Sequence, residues 1–209
     1  AEGNNAGGTL GGAAGADTWY HVFLIQKSSD GTVDVVFANN ATLPAPPTGF
    51  DIKRRIGAFR TDATPEVIPF TQRGERFLWD GIKTDTAGTI STSATSIQLD
   101  YVPDLIECDA IFNIVCDTSS GTLDYSVYFY PSSMTGITPD DAPGSTAYDS
   151  HPSPGFTFTA PSDAADYPIG GMLTMPMDNT RTLKGMASAA SIDFAVFTIG
   201  WIDRRGRDD

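Results

Sequence analysis

The residues able to do chemistry are few. The 209-residue chain holds two histidines, His21 and His151, and two cysteines, Cys108 and Cys116. Histidine is the commonest general base, so this shortage already narrows the chemistry. His21 lies in an apolar run with Trp19, Phe23 and Ile25 and reads as a packed, hydrogen-bonded core histidine. His151 lies in a Pro-rich stretch with no Cys or His at ligand spacing. A zinc site takes about four nitrogen or sulfur ligands. Both cysteines read as core-facing, so zinc is not expected. Loop carboxylates are plentiful, among them Asp140, Asp141, Asp149, Asp163 and Asp166. The alternating acidic pattern of a calcium loop is absent, which leaves calcium open only through backbone carbonyls. No G-x-S-x-G elbow, P-loop or dinucleotide fingerprint occurs. With 26 acidic residues, no glycosidase pair at a fixed separation can be chosen or excluded. The expectation is a chain that is not an enzyme and carries no cofactor.

Binding groups are easier to find. Trp79, Tyr128 and Tyr130 fall at outward or edge positions of the apolar pattern, and Tyr148 sits in the Pro-rich stretch. Exposed aromatics stack on sugar rings or anchor protein interfaces. The plainer reading, which we favour, is packing under a loop or against a neighbouring subunit. The basic residues are grouped: Lys53, Arg54 and Arg55 are contiguous, and Arg204, Arg205 and Arg207 close the sequence. Arg54, Arg55, Arg204 and Arg205 are therefore candidate surface or interface contacts. They would pair with carboxylates of their own domain or of a neighbouring copy.

The net charge of −13 argues against nucleic acid, whose phosphates require an excess of Lys and Arg. It argues equally against docking on anionic lipid. No run of ~18 apolar residues occurs, so membrane insertion is not expected, and no secretion signal is recognised. Cys108 and Cys116 share one strand-like run, along which eight steps span roughly 26 Å. A disulfide needs Cα atoms about 4.4–6.8 Å apart. Buried, reduced thiols suit assembly in a reducing cytoplasm.

The elements that must position these residues are strands. Residues 1–16 are rich in Gly, Ala and Asn without apolar period and read as a flexible arm. From Thr18 to Ile25 the residues are β-formers with both faces apolar, as in a central strand. Ser28 to Gly31 turn the chain into the alternating Val33, Val35 and Phe37. Strands are expected over Lys53–Arg60 and Val67–Thr71, the latter placed at an edge by Pro69. Thr84–Ser96 reads as a polar loop or weak edge strand. Ile106–Cys116 and Leu123–Phe129 alternate strictly and read as one long hairpin. Pro131–Pro168 is Pro-rich, with one short strand at Phe156–Thr159. Three strands close the chain: Met172–Met175, Arg181–Met186 and Ile192–Ile202. The fold class expected is all-β, an antiparallel β-sandwich of jelly-roll type, with residues 17–209 forming a single domain.

Three stretches carry a family likeness. Asp17-Thr18-Trp19-Tyr20-His21-Val22-Phe23-Leu24-Ile25 follows the Gly-rich arm. Pro47-Thr48-Gly49-Phe50 leads to Lys53-Arg54-Arg55-Ile56-Gly57. The end reads Gly200-Trp201-Ile202-Asp203-Arg204-Arg205-Gly206-Arg207. Together they resemble a family of bacteriophage and prophage particle proteins, found as distal parts of tail fibres or as small virion proteins. Residues 84–168 match no motif of that family, and the family has no catalytic residues to carry over. The resemblance implies a structural virion protein assembled in a bacterial cytoplasm, most simply a tail-fibre or tail-tip domain that contacts the host. It also implies homotrimers and other virion proteins as partners, with a host glycan or protein as the receptor. A head-decoration or other purely structural virion protein is the alternative, and a carbohydrate-binding module a further one.

Overall fold

A computed structural model describes residues 8–10, 12–43, 45–117, 125–135, 156–160, 169–188 and 192–204. Among these residues there are twelve strands and no helix. In chain order they are β1 (Trp19–Gln26), β2 (Val33–Ala38), β3 (Ile52–Arg60), β4 (Phe70–Arg73), β5 (Arg76–Ile90) and β6 (Thr95–Gln98). There follow β7 (Cys108–Asp117), β8 (Tyr125–Pro131), β9 (Phe156–Ala160), β10 (Ile169–Met177), β11 (Thr182–Ala187) and β12 (Ile192–Ile202). The protein is all-β, with three antiparallel sheets in the orders β2-β1-β3, β10-β7-β12-β5-β4 and β6-β11-β8-β9.

The chain divides into two compact units. The first comprises Ala1–Asp80, Pro103–Ile106 and Asp203–Asp209, the second Gly81–Val102 and Glu107–Ile202. The boundary at Asp80/Gly81 falls inside β5.

In the first unit β1 is central, as its two apolar faces predict. It pairs with β2 on one side and β3 on the other. The β1–β2 turn closes through Gly31 at φ 74°, a conformation glycine adopts without strain, and Gly31 N–H donates to Lys27 O. Phe23, Ile25, Val36, Ala38, Leu43 and Phe50 form a buried cluster on one face of this sheet. Trp19 lies 5.8 Å from Trp79, ring centre to ring centre, and Phe70 lies 5.8 Å from Phe77.

Residues 8–10 depart from the flexible-arm expectation. Leu10 N–H donates to Phe37 O and Phe37 N–H to Gly8 O, so Thr9 makes a parallel bridge on the outer edge of β2. Thr9 is buried, and Leu10 packs against the cluster on β1 and β2. Further on, Gly15 is held at both ends: its N–H donates to Tyr20 Oη, and its carbonyl accepts from Thr61 Oγ1.

In the second unit β7 carries Cys108, Ala110, Phe112, Ile114 and Cys116 on one buried face, as the alternation predicts. Both cysteines are free, and burial pushes the Cys116 thiol up to about 12. The long hairpin is corrected. β7 lies between β10 and β12, whereas β8 lies between β11 and β9 in another sheet. Alternation fixes which face is buried, and either partner satisfies it. Thr84–Ser96 is corrected in part: Thr95 opens β6, a short edge strand of the kind expected, whereas Thr84–Ile90 completes the inner strand β5. Its β-branched residues Thr84, Thr86, Thr89 and Ile90 were the available strand signal. On β11, Gly185 admits close approach: a Cβ there would lie 2.9 Å from Ile97 Cδ1 and 3.1 Å from Phe129 Cε1.

Candidate functional site

Two β-bulges decide where the charged candidates go. Along the first half of the β1–β3 ladder, Trp19 faces Arg60 and His21 faces Ala58. The register then slips between Val22 and Phe23, so that Phe23 faces Arg55 and Ile56 is skipped. Directly opposed residues share a face, and Phe23 faces the core. The slip therefore turns Arg55 inward, where strict alternation would have sent Ile56. On β12 the register slips again, between Thr198 and Gly200. Alternation from Ile192 would bury residue 202 and expose residue 203. After the bulge Trp201 and Asp203 are both fully buried. Bulges are a standard means of re-aiming side chains.

The outcome is a buried ion pair within the first unit. Arg55 Nη1 donates to Asp203 Oδ2 at 2.5 Å and Nη2 to Oδ1 at 2.7 Å. The Asp203 side chain is 0% exposed and that of Arg55 13%. Asp203 N–H also donates to Glu75 O at 2.8 Å. A bidentate guanidinium–carboxylate pair combines strength with directional specificity. The residue chosen from sequence was the arginine; the carboxylate beside Arg204 and Arg205 was passed over.

The other candidates scatter. Arg54 and Arg204 are exposed, while Arg205 and Tyr148 lie outside the described residues. Lys53 Nζ donates to two backbone carbonyls, those of Thr42 and Leu43. Trp79 and Tyr130 are corrected: they are 6% and 4% exposed and do not form an outward aromatic surface. Trp79 packs on Trp19 and Phe70. Tyr130 Oη reaches Met186 Sδ at 3.8 Å, and burial raises its phenol. Tyr128 is half-buried. His21 is packed as expected, at 0% exposure, but neither ring nitrogen has a hydrogen-bond partner among the described residues. Asp104 Oδ1 stands 3.7 Å from its Nε2. Among the described residues no group of three or more His, Cys, Asp or Glu is placed to hold a metal ion.

A second feature was missed in the sequence because it lies on the misread Thr84–Ser96 stretch. A cleft of about 390 Å³ opens between β5 and β6 in the second unit. Its walls include Asp85, Thr86, Thr89, Ser96, Gln98 and Asp100, with Ile97 and Phe194 supplying apolar surface. Asp85 accepts from the Thr198 hydroxyl and, at 2.9 Å, from Tyr101 N–H. Burial pushes its carboxyl up to about 6; these two bonds oppose that rise, and the neighbouring Asp100 charge adds to it. Gly88 leaves the side of the cleft bare. A Cβ there would lie 3.4 Å from the Phe194 ring.

No protein-family model, no curated protein and no solved structure matches the chain.

Proposed function

We propose that the chain is a non-catalytic structural part of a bacteriophage particle, a tail-fibre or tail-tip domain that touches the host surface. One observation supports this reading above the others. Segments of all three stretches that resemble phage particle proteins join in one unit. The first is β1, the second forms β3 beside it, and Arg55 of the second clamps Asp203 of the third. The unmatched stretch 84–168 belongs to the second unit apart from Pro103–Ile106. This division suits a particle protein with one shared scaffold and one variable, displayed part.

Two further elements belong to the reading. Within the second unit, the β10-β7-β12 strands and the β6-β11-β8-β9 sheet are taken as the faces of a β-sandwich, with Phe129 of β8 meeting Phe194 of β12 at 6.3 Å. Self-association is the other element. Leu24, Val33 and Ile52 are 39%, 53% and 49% exposed and share one face of the first sheet with Arg54. Such a face suits another copy of the chain.

The test is location and binding. Antibody labelling of purified particles should mark the tail tip, and the isolated chain should adhere to host cells. Mass measurement in solution should give an oligomer. Labelling confined to heads, with no adhesion to any strain, would move the chain to the head-decoration reading.

A further inference from the structure

We infer that the cleft between β5 and β6 binds a neutral or amino sugar. The inference deepens the host-contact reading and rests on it for its biological sense, although the site is defined by its own chemistry.

The volume of about 390 Å³ falls at the lower end of small-ligand sites, roughly 300–1,000 Å³. It has room for a sugar ring and its substituents. The lining is short and polar. Thr86 offers a hydroxyl that both donates and accepts. Thr89 Oγ1 donates to Asp193 Oδ1 at 3.1 Å and offers an acceptor, and Ser96 Oγ accepts from Lys184 and offers a donor. Gln98 offers an amide, and Asp85 and Asp100 offer carboxylates. A pyranose presents the matching set, vicinal hydroxyls that each donate and accept. Short side chains on strands also lose little rotamer freedom on binding. Asp85 is fixed in place by Thr198 and Tyr101, so one acceptor is pre-positioned. The apolar part is narrow: Ile97 and Phe194 are buried, and only the strip beside the bare Gly88 is open to the C–H groups of a ring.

The charge of the lining selects among sugars. No Lys or Arg lines the cleft, whereas two carboxylates do. The Lys184 ammonium, from outside the lining, donates to Ser96 Oγ at 2.6 Å, so one cation reaches the rim against the carboxylates of Asp85 and Asp100. Two carboxylates against one ammonium leave the cleft net negative, so a uronate or sialate would meet net like charge and an amino group opposite charge. A cationic peptide would satisfy the carboxylates but leave the row of hydroxyls unused. With no broad aromatic platform, affinity should be weak, with Kd on the order of 1 mM.

The experiment titrates the ¹⁵N-labelled full chain with methyl glucoside, methyl galactoside, N-acetylglucosamine and glucosamine, each to ~50 mM. Glucuronate and a short lysine peptide serve as comparisons. Expected are saturable shifts of the Gly88, Ser96 and Gln98 amides with at least one neutral or amino sugar. Gln98→Ala, an exposed position, and Gly88→Val should each weaken binding about tenfold or more, with the remaining spectrum unchanged. The inference is overturned if none of these sugars moves the cleft amides. It is overturned equally if glucuronate or the peptide binds more tightly, or if Gln98→Ala binds as well as the parent. Adhesion of parent and Gln98→Ala chains to bacterial cells then separates the two readings. Equal adhesion by both removes the cleft and keeps host contact. Sugar binding without adhesion keeps the cleft and removes host contact.

Discussion

Asp203 gives both oxygens to Arg55, whereas Asp85 meets the Thr198 hydroxyl and the backbone N–H groups of Tyr101 and Asp100, and the two should respond to mutation in opposite ways. Removing the guanidinium leaves Asp203 buried without compensation, which costs about 3–5 kcal/mol. Arg55→Met should therefore lower stability by that order in urea melts. Arg55→Met with Asp203→Leu should regain most of the loss, because the isolated charge is gone. A double variant no better than the single would show that the pair holds the fold by shape and not by charge balance. Asp85 works through its proton. Its carboxyl is raised from 3.8 to about 6, so the folded chain binds the proton more tightly than the unfolded chain. Stability from this group is fully present below about pH 4 and is lost as pH rises through about 6. Asp85→Asn keeps an acceptor for Tyr101 N–H and never ionises. It should add about 3 kcal/mol at pH 7.5 and under about 1 kcal/mol at pH 4. The same gain at both pH values would sink the burial argument. The sequence offered Arg55 but not its partner, because parity along a strand predicts burial only until a bulge reverses it. Both members of this pair lie beyond such a reversal.

At the scale of elements, alternation located β7 and its buried cysteines, and apolar runs located β1 and the three closing strands. The same alternation could not choose partners. The β7–β8 hairpin failed because sheet order depends on contacts far apart in sequence. The polar stretch that became the second half of β5 gave no alternation at all. Composition alone also suggested a free arm, yet residues 8–10 lie on the β2 edge. An uncovered strand edge is a template for pairing with other chains, and this segment covers part of β2. It is held there by two backbone hydrogen bonds, one buried Thr and the side chain of Leu10. Leu10→Asp should cost about 1–2 kcal/mol and bare the edge. Size-exclusion chromatography should then show association that grows with concentration beyond that of the parent. Stability lost without any new association would mean that Leu10 serves only the core.

At the scale of the whole molecule, the two units have unequal claims to independence. The second occupies one interval of the sequence, 81–202, interrupted only by Pro103–Ile106. The first is split around it, and several of its buried contacts depend on the pieces that lie after residue 80. Asp203, the counter-charge of Arg55, is one, and Asp104 beside His21 is another. The architecture is that of an insertion, with the second unit emerging in mid-strand from β5 and returning through β12. No Gly- or Pro-rich linker marks Asp80/Gly81, which is why composition suggested 17–209 as one body. Insertions of this kind succeed where the two ends of the interval are close, and β5, which holds Gly81, neighbours β12, which ends at Ile202, in one sheet. Residues 81–202 expressed alone should therefore fold, giving a β-type circular dichroism spectrum and a cooperative thermal transition. Residues 1–80 alone should fail, since Arg55 would be buried without its carboxylate at a cost of about 3–5 kcal/mol. Rejoining 1–80 to 203–209 through a short Gly-Ser linker restores that carboxylate and should recover structure. A folded 1–80 fragment would show that the Arg55–Asp203 pair is dispensable to its unit. An unfolded 81–202 fragment would show that the second unit needs the strand from which it grows.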